Sequence, residues 1–391
     1  FGHRLERSVW RRASRARHAD GERWRRWSAF VQRRPWPALV AGVALLLALS
    51  APALDMPLGF ADASTDDPSK TSRQAYDLLA EGFGPGFSGP LVVVAQGGGN
   101  AAAELRRTLA RTPGIAGVTP PSPAGQGDVA TVVAYPTSKP QDEATNELLA
   151  RLRDDVLPSL AQRSGGTYLV GGPTAAAADF TAIVNDRLPL FLAVVVGLSA
   201  LLLMVVFRSV LIPLKAALLN LLTIGASLGV VTLAFEGSGP IEAFGPVMIF
   251  AIVFGLSMDY EVFLVSRMHE EWQRTGDAPA AIREGLATTG RVITAAGAIM
   301  IVVFGAFVLS PERMLQQFGL GLAVAILLDA FLIRCLIVPA VMRLLGERAW
   351  WMPHWLTRRL PHIAPQRGQV SPPIRSTSSS STAGWRGGVG P

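Results

Sequence analysis

The chain has 391 residues, of which 50% are hydrophobic and 17% are charged, and its mean hydropathy is +0.34. This charged fraction lies below the roughly 25% of soluble domains and, with six long apolar runs, excludes an ordinary soluble fold. The formal net charge of +7 comes from basic residues beside those runs and in the terminal segments. Lipid headgroups, and not nucleic acid, are therefore the expected partner of these charges.

Residues 1–37 are rich in arginine and carry four tryptophans. Arginine holds a segment on the cytoplasmic side and tryptophan anchors at the membrane interface, so we predict a cytoplasmic basic segment on the membrane surface. The apolar run at 38–54 follows directly and predicts the first transmembrane helix, because its length approaches the ~20 residues needed to cross a bilayer.

Residues 55–187 differ in character, because their apolar runs are short and separated by Gly, Pro and Ser. Periodicity predicts elements in the order α-β-α-β-β-α-β. The predicted helices are Thr71–Gly82, Ala101–Arg111 and Glu143–Leu160, and the predicted strands are Leu91–Ala95, Ile115–Thr119, Val129–Ala134 and Tyr168–Val170. This order is that of ferredoxin-like, split βαβ modules, so we predict an inserted extracytoplasmic α+β domain.

Five further apolar runs predict a five-helix transmembrane bundle over residues 188–345. The runs are 188–207, 214–235, 245–266, 291–310 and 316–341. Arginine and lysine are concentrated in the loops on one side of these runs, which places both termini in the cytoplasm and residues 55–187 outside.

Two polar segments border the bundle. The stretch Arg267–Thr289 is expected to form a helix that lies along the cytoplasmic membrane surface. Residues 346–391 are expected to form a cytoplasmic tail that is disordered beyond about residue 362, because Ser, Pro, Gly and Arg bury too little apolar surface to fold.

Asp259 and Glu261 lie within an apolar run, where a carboxylate costs at least ~2.5–3.5 kcal/mol. We expect Asp259 to be buried in the membrane helix, either as a group that takes up and releases a proton or as one side of a static salt bridge. Tyr260 could supply a hydrogen bond to such a relay. Glu261 points to another side of the helix, since two residues turn about 200°, and is expected to be a structural partner.

Asp329 and Arg334 are the other charges inside an apolar run. Five residues place two side chains well apart around an α-helix, so an ion pair between them within the helix is not expected. We predict instead that each contacts a neighbouring helix and has a structural role, with the cytoplasmic headgroups as an alternative contact for Arg334.

No GxSxG, HExxH or Walker A motif occurs in the sequence, and its five histidines and single cysteine, Cys335, lack metal-ligand spacing. We therefore expect no enzyme activity, no metal and no cofactor. Transport by this chain would have to be driven by an ion gradient or powered by another chain.

The run FGLSMDYEVFLVSRMHEEW (Phe254–Trp272) resembles the membrane signature of MMPL proteins, the actinobacterial branch of the resistance-nodulation-division (RND) exporters. Three other stretches are similar to the same family: SRQAYDLLAEGFGPGFSGPLVVV (Ser72–Val94), LLDAFLIRCLIVPAVMRLLG (Leu327–Gly346) and the closing WWMP (Trp350–Pro353).

The resemblance implies a transporter with twelve spans in two repeats, each of one span, an extracytoplasmic porter domain and five spans. This chain matches the second repeat. The resemblance further implies that Asp259 and Tyr260, in the fourth span, form half of a proton relay, and that the substrate is a lipid, glycolipid or hydrophobic drug-like molecule exported across the cytoplasmic membrane.

The same resemblance implies that this chain works with a separate first repeat or with a second copy, within a possible higher oligomer. The chain opens inside a basic region, and we expect it to be half of a longer transporter. The alternative function is a membrane scaffold without transport, a remnant of gene fission that binds lipid or a partner protein.

Overall fold

The structure is a computed structural model that describes residues 21–97, 99–123 and 128–352. The predictions for residues 1–20 and for the tail after residue 352 lie outside the described residues. Within the described part, helices α1 to α12 and strands β1 to β7 form a helical bundle and a smaller α+β unit.

Six helical segments in the described part of the chain are long and apolar enough to cross a membrane, so the chain is a multi-pass membrane protein. The first and last are composite: α2 continues as a 3-10 turn, and the last begins as α11, passes through a π-helix and ends as α12. Helix α1, described over residues 21–33, precedes these six segments. Their bounds are α2 Pro35–Ser50 with its 3-10 turn Ala51–Asp55, α7 Pro173–Phe207, α8 Leu211–Ala234, α9 Gly245–Thr275, α10 Ala278–Ala306, and α11 Arg313–Leu327 with the π-helix Leu328–Ile337 and α12 Val338–Leu345.

The predicted surface helix at 267–289 is wrong. Helix α9 continues through the first part of that stretch to Thr275 and ends at Gly276, whose φ of +66° favours glycine. Helix α10 begins at once, with the Asp277 side chain accepting a hydrogen bond from the Ala280 N–H. The polar stretch therefore forms the facing ends of two long helices joined by a tight turn.

Close helix contacts depend on glycine. Gly229 of α8 faces the backbone of α2 so closely that a Cβ would overlap the Leu49 carbonyl. Gly297 of α10 similarly faces Ala330, whose Cβ would lie 2.9 Å from an added methyl group. Small residues at such crossings let membrane helices approach each other.

The α+β unit lies between α2 and α7 in the sequence. Its elements are β1 Leu58–Gly59, α3 Thr71–Phe83, β2 Leu91–Gln96, α4 Gly99–Leu109, β3 Ile115–Val118, β4 Ser122–Pro123, β5 Val129–Pro136, α5 Glu143–Arg151, a π-turn Leu152–Val156, α6 Leu157–Ser164 and β6 Thr167–Gly171. The three helices and four strands predicted from periodicity are thus present, within a few residues.

The main sheet of this unit has the strand order β3-β5-β2-β6, with all pairs antiparallel and β4 added beside β5. Along β2, Leu91, Val93 and Ala95 alternate into the core, as expected for a sheet with one covered face. They pack against leucines of α4, α5 and α6, including Leu105 and Leu148.

A second, two-stranded sheet ties the α+β unit to the bundle. Strand β1 pairs in parallel with β7, Ile241–Glu242, which lies between α8 and α9. The Glu242 side chain is only 7% exposed, and its Oε1 accepts a hydrogen bond from the Ala61 N–H at 3.3 Å. Burial raises the pKa of the Glu242 carboxyl above its ordinary value, opposed by the Ala61 hydrogen bond and the charge of Arg313.

Candidate functional site

A cluster of four buried charges lies inside the bundle, which we call the charge cluster: Lys215, Glu261, Asp329 and Arg334. Lys215 Nζ lies 2.6 Å from Glu261 Oε1, and Arg334 Nε lies 2.8 Å from Asp329 Oδ2. Arg334 Nη1 approaches Glu261 Oε2 at 3.7 Å and joins the two pairs. No member is more than 7% exposed.

Neutral polar groups complete the charge cluster. Ser257 Oγ lies 2.9 Å from Asp329 Oδ1 and 2.7 Å from Asn220 Oδ1, and Arg334 also donates to the Ser257 carbonyl and hydroxyl. Arg334 Nη1 is buried, and no described residue accepts a hydrogen bond from it. The cluster therefore joins α8, α9 and the last span through nearly saturated polar contacts.

Asp329 and Arg334 do pair within one helix, so the expectation that they lie apart is wrong. The reason is the π-helix Leu328–Ile337. A π-helix hydrogen-bonds residue i to i+5 and so brings residues five apart close together, whereas an α-helix turns them about 140° away. π-Helical turns occur frequently at functional sites.

Glu261 and Arg334 meet across helices, as the sequence indicated for structural partners. Lys215 was missed, because its place near the start of an apolar run indicated only a loop flank. Its signal is the buried polar stripe of α8, in which Lys215, Asn220, Thr223 and Ser227 recur at intervals of three to five residues.

The charge cluster contains two cations and two anions, so it is electrically balanced. Burying each ion costs several kcal/mol of desolvation, and only close pairing offsets that cost. Removal of one partner therefore leaves a buried charge uncompensated, while the balanced set is tolerated.

Asp259 does not belong to the charge cluster, and the expectation that its side chain is buried is wrong for this chain alone. Asp259 is exposed on the outer surface of α9, and no other described residue forms a hydrogen bond or ion pair with it. Glu261 lies two residues further, about 200° around the helix, and therefore points inward.

Asp259 stands in an otherwise apolar exposed stripe of α9, which we call the Asp259 stripe: Met248, Ile252, Gly255, Asp259 and Phe263. The spacing of three or four residues puts these side chains on one helix face. A Cβ on Gly255 would meet no atom within 4 Å. The stripe thus combines a lone carboxylate, a small residue and apolar side chains that are 38–46% exposed.

Tyr260 lies between the Asp259 stripe and the charge cluster. The Arg334 guanidinium carbon is 5.5 Å from the centroid of the Tyr260 ring, within the range of a cation–π contact. The Tyr260 hydroxyl is half-buried beside Met300 Sδ, 4.0 Å away. The pair predicted from the sequence is therefore split: Tyr260 contacts the charge cluster, whereas Asp259 faces outward.

A cavity of about 650 Å³ opens between the α+β unit and the start of α7. Phe60 and Leu149 give it an apolar part, and Asn146 and Asn185 supply amide groups. The ion pair of Arg153 with Asp179 forms part of its wall. Its volume lies in the range of small-molecule sites.

Comparison with known proteins gives a consistent result. The sequence profile of the MMPL family matches residues 98–385. Membrane protein YdfJ of Bacillus subtilis (strain 168) is 37% identical over 366 residues, which cover 89% of this chain and 50% of YdfJ. The mycolic acid-containing lipids exporter MmpL11 of Mycolicibacterium smegmatis is 34% identical and is matched over 89% of this chain and 38% of its own length.

The trehalose monomycolate exporter MmpL3 of Mycolicibacterium smegmatis is 42% identical over 228 residues, covering 56% of this chain and 22% of MmpL3. The chain spans half the length, or less, of these three relatives.

Proposed function

The chain belongs to the MMPL family of RND-superfamily transporters, and we propose that it supplies the C-terminal repeat of a proton-driven exporter of lipids or other hydrophobic molecules. Neither a catalytic activity nor a cofactor is part of this role. The observation that carries it is the exposed Asp259 on an apolar membrane helix.

A carboxylate within a membrane span faces a protein interior or a water-filled cavity, not lipid tails. Asp259 is exposed, and no other described residue pairs with it. We infer that a second body covers the Asp259 stripe, and Gly255, one turn away, leaves room for a closely packed helix. A first repeat or a second copy of this chain fits that requirement, as does a higher oligomer built from such pairs.

In this assembly Asp259 takes up and releases the proton, and Tyr260 couples the protonation state of Asp259 to the charge cluster. Arg334 contacts the Tyr260 ring and also holds Asp329 and Glu261. A change in the protonation of Asp259 thereby affects the charge cluster, which joins three membrane helices. Coupled transport would require this cluster to exchange between discrete arrangements of its ion pairs.

The substrate class rests on the relatives and on the cavity. Two relatives are named as exporters, one of mycolic acid-containing lipids and the other of trehalose monomycolate. The cavity combines apolar Phe60 and Leu149 with amide and charged side chains, which suits an amphiphilic molecule. Export of an amphiphilic lipid is therefore the favoured activity.

The positive-inside rule supports an orientation with both termini inside and the α+β unit outside, and we propose the cytoplasmic membrane as the location. The strand order β3-β5-β2-β6 and the antiparallel pairing support a ferredoxin-like porter domain for this unit.

The relay is tested by Asp259→Asn, which keeps the size of the side chain but cannot titrate. Lipids of the host membrane are labelled with radioactive acetate, and their release from native vesicles to an acceptor protein is measured under an imposed proton gradient. We expect Asp259→Asn to reduce gradient-dependent release at least tenfold, and Tyr260→Phe to reduce it less, because only a hydroxyl group is lost.

Asp186→Asn is the matched control, since Asp186 is an exposed carboxylate on a different membrane helix. It should export at the wild-type rate. If Asp259→Asn also exported at that rate, with equal insertion into the membrane, the relay assignment would be wrong. Wild-type vesicles without gradient-dependent release would favour the alternative of a scaffold that binds lipid or a partner.

A further inference from the structure

Helix α1 is described over residues 21–33, and it packs across the first half of α10. An added Cβ on Gly290 would lie 2.8 Å from the Trp24 ring. Arg25 pairs with Glu284 at 2.9 Å, and Gln32 Nε2 donates to the Pro279 carbonyl at 3.4 Å. The inner face of α1 is thus fixed to α10 by packing and hydrogen bonds.

A further contact reaches the last span. Trp27 Nε1 donates to the Cys335 carbonyl at 2.7 Å, next to Arg334 of the charge cluster. Helix α1 also runs directly into the membrane helix α2, which begins at Pro35. These contacts fix α1 beside the polar end of α10 and the first residues of a span, at the boundary between water and hydrocarbon.

The outer face of α1 has an unusual composition. At 100° per residue, five exposed side chains fall within an arc of about 120° on the side opposite Ser28. They are Arg23, Arg26, Trp27, Phe30 and Arg33, and exposed Arg34 and Trp36 follow at the end of the helix. Trp27 lies at the edge of this arc, so it is 41% exposed while its Nε1 still reaches the Cys335 carbonyl. We call these seven residues the basic-aromatic face.

Neither water nor hydrocarbon alone suits this face. A water-facing helix would not expose Phe30 at 62% and Trp36 at 63%, and a helix facing lipid tails would not expose four arginines. Tryptophan and arginine occur together at the headgroup level of a bilayer, where the ring meets the acyl boundary and the guanidinium meets phosphate.

The charge decides which headgroups fit. Of the five arginines in residues 21–34, only Arg25 is paired with an acid of the described chain, Glu284, and Glu22 is the single acidic residue of the segment. Four arginines therefore remain exposed without an acidic partner among the described residues. We propose that the basic-aromatic face is a binding surface for anionic phospholipids of the bilayer, independent of the export activity proposed above.

The test compares binding of phosphatidylglycerol and phosphatidylcholine to the full chain in neutral detergent, by titration under native mass spectrometry. We expect tighter binding of phosphatidylglycerol, with a preference that falls as salt rises. Replacement of Arg23, Arg26, Arg33 and Arg34 by Gln should weaken phosphatidylglycerol binding about fivefold for each arginine removed, because each contributes ~1 kcal/mol near an anionic surface.

A matched control removes the same charge elsewhere, with Arg106, Arg107, Arg111 and Arg163 of the α+β unit replaced by Gln. These arginines are also exposed. The control should keep wild-type binding of phosphatidylglycerol, and both variants should keep the wild-type affinity for phosphatidylcholine, which shows that they are folded.

Glycerol 1-phosphate tests whether the bilayer lipid is required. We expect no binding of this soluble headgroup at the concentrations at which phosphatidylglycerol saturates, because the aromatic side chains contribute only with an acyl boundary. Equal loss of phosphatidylglycerol binding in the two fourfold variants, no loss in either, or tight binding of glycerol 1-phosphate would overturn the proposal.

Discussion

Lys215 holds its ammonium group 2.6 Å from Glu261 inside the bundle, with each side chain 6% exposed. At this burial the pair is far from a surface salt bridge, whose contribution is about 0–1 kcal/mol. Loss of either partner has the larger effect, since the charge that remains keeps its desolvation cost without the attraction that offset it.

We predict that Lys215→Met destabilises the protein by about 3–5 kcal/mol, because Glu261 is left with Arg334 alone at 3.7 Å. The double variant Lys215→Met/Glu261→Gln should recover more than half of that loss. Chemical unfolding in detergent measures both values.

The control for this cycle is Arg274→Met, which removes a cation from an exposed pair with Glu271. It should cost less than about 1 kcal/mol. A Lys215→Met variant as mild as this control would show that the buried pair is not closely coupled.

Glu242 gives a prediction about pH. Burial raises the pKa of its carboxyl above the ordinary 4.5, so the folded protein binds this proton more tightly than the unfolded chain. Its stabilising contribution is therefore complete below pH 4.5 and is lost as the pH rises through the raised pKa.

Glu242→Gln should consequently raise the thermal unfolding midpoint at about pH 8 and leave it unchanged near about pH 4. The amide oxygen can still accept from the Ala61 N–H. Glu81→Gln, at an exposed site in α3, is the control and should show no such pH-dependent difference. A lower midpoint for Glu242→Gln at the higher pH would contradict the assignment of burial as the dominant cause.

At the scale of elements, the crossing of α2 and α8 depends on Gly229. We predict that Gly229→Ala destabilises by about 1–3 kcal/mol, because the new methyl group overlaps the Leu49 carbonyl. Gly197→Ala in α7 should be neutral or stabilising by up to about 1 kcal/mol, since its Cβ meets no atom within 4 Å and alanine favours a helix.

The two alanine variants are compared by chemical unfolding in the same detergent. A loss of stability at Gly229 without a loss at Gly197 would support the crossing as described. Equal effects at the two positions would mean that the overlap with the Leu49 carbonyl does not limit the packing of α2 against α8.

Elements were predictable where the signal is periodic. The six apolar runs and the strands of the α+β unit follow from length and alternation, and the structure has them. The π-helix at Leu328–Ile337 was not predictable, because no local propensity separates it from an α-helix. That one element decides whether Asp329 contacts Arg334, so the pairing within the charge cluster could not be predicted from the sequence either.

At the scale of the whole molecule, the unusual charges were predictable from the sequence but their surroundings were not. Asp259 and Glu261 look alike in the sequence, yet one faces outward and the other lies in the charge cluster. Which side of α9 is covered depends on how the other helices pack, which is information that spacing within one helix does not contain. Because Asp259 faces outward, the proposed transport depends above all on a second body that covers the Asp259 stripe.

The presence of this second body is tested most directly at Gly255, because the chain has a single cysteine, Cys335, which Cys335→Ala removes. A spin label is attached through Gly255→Cys, and its collision rate with oxygen is measured in the native membrane. Leu198→Cys, at a side chain 68% exposed on α7, is the lipid-facing control. We predict that the label at residue 255 is shielded from oxygen relative to the label at residue 198. Equal oxygen accessibility at the two positions would place the Asp259 stripe against lipid and contradict the proposed assembly.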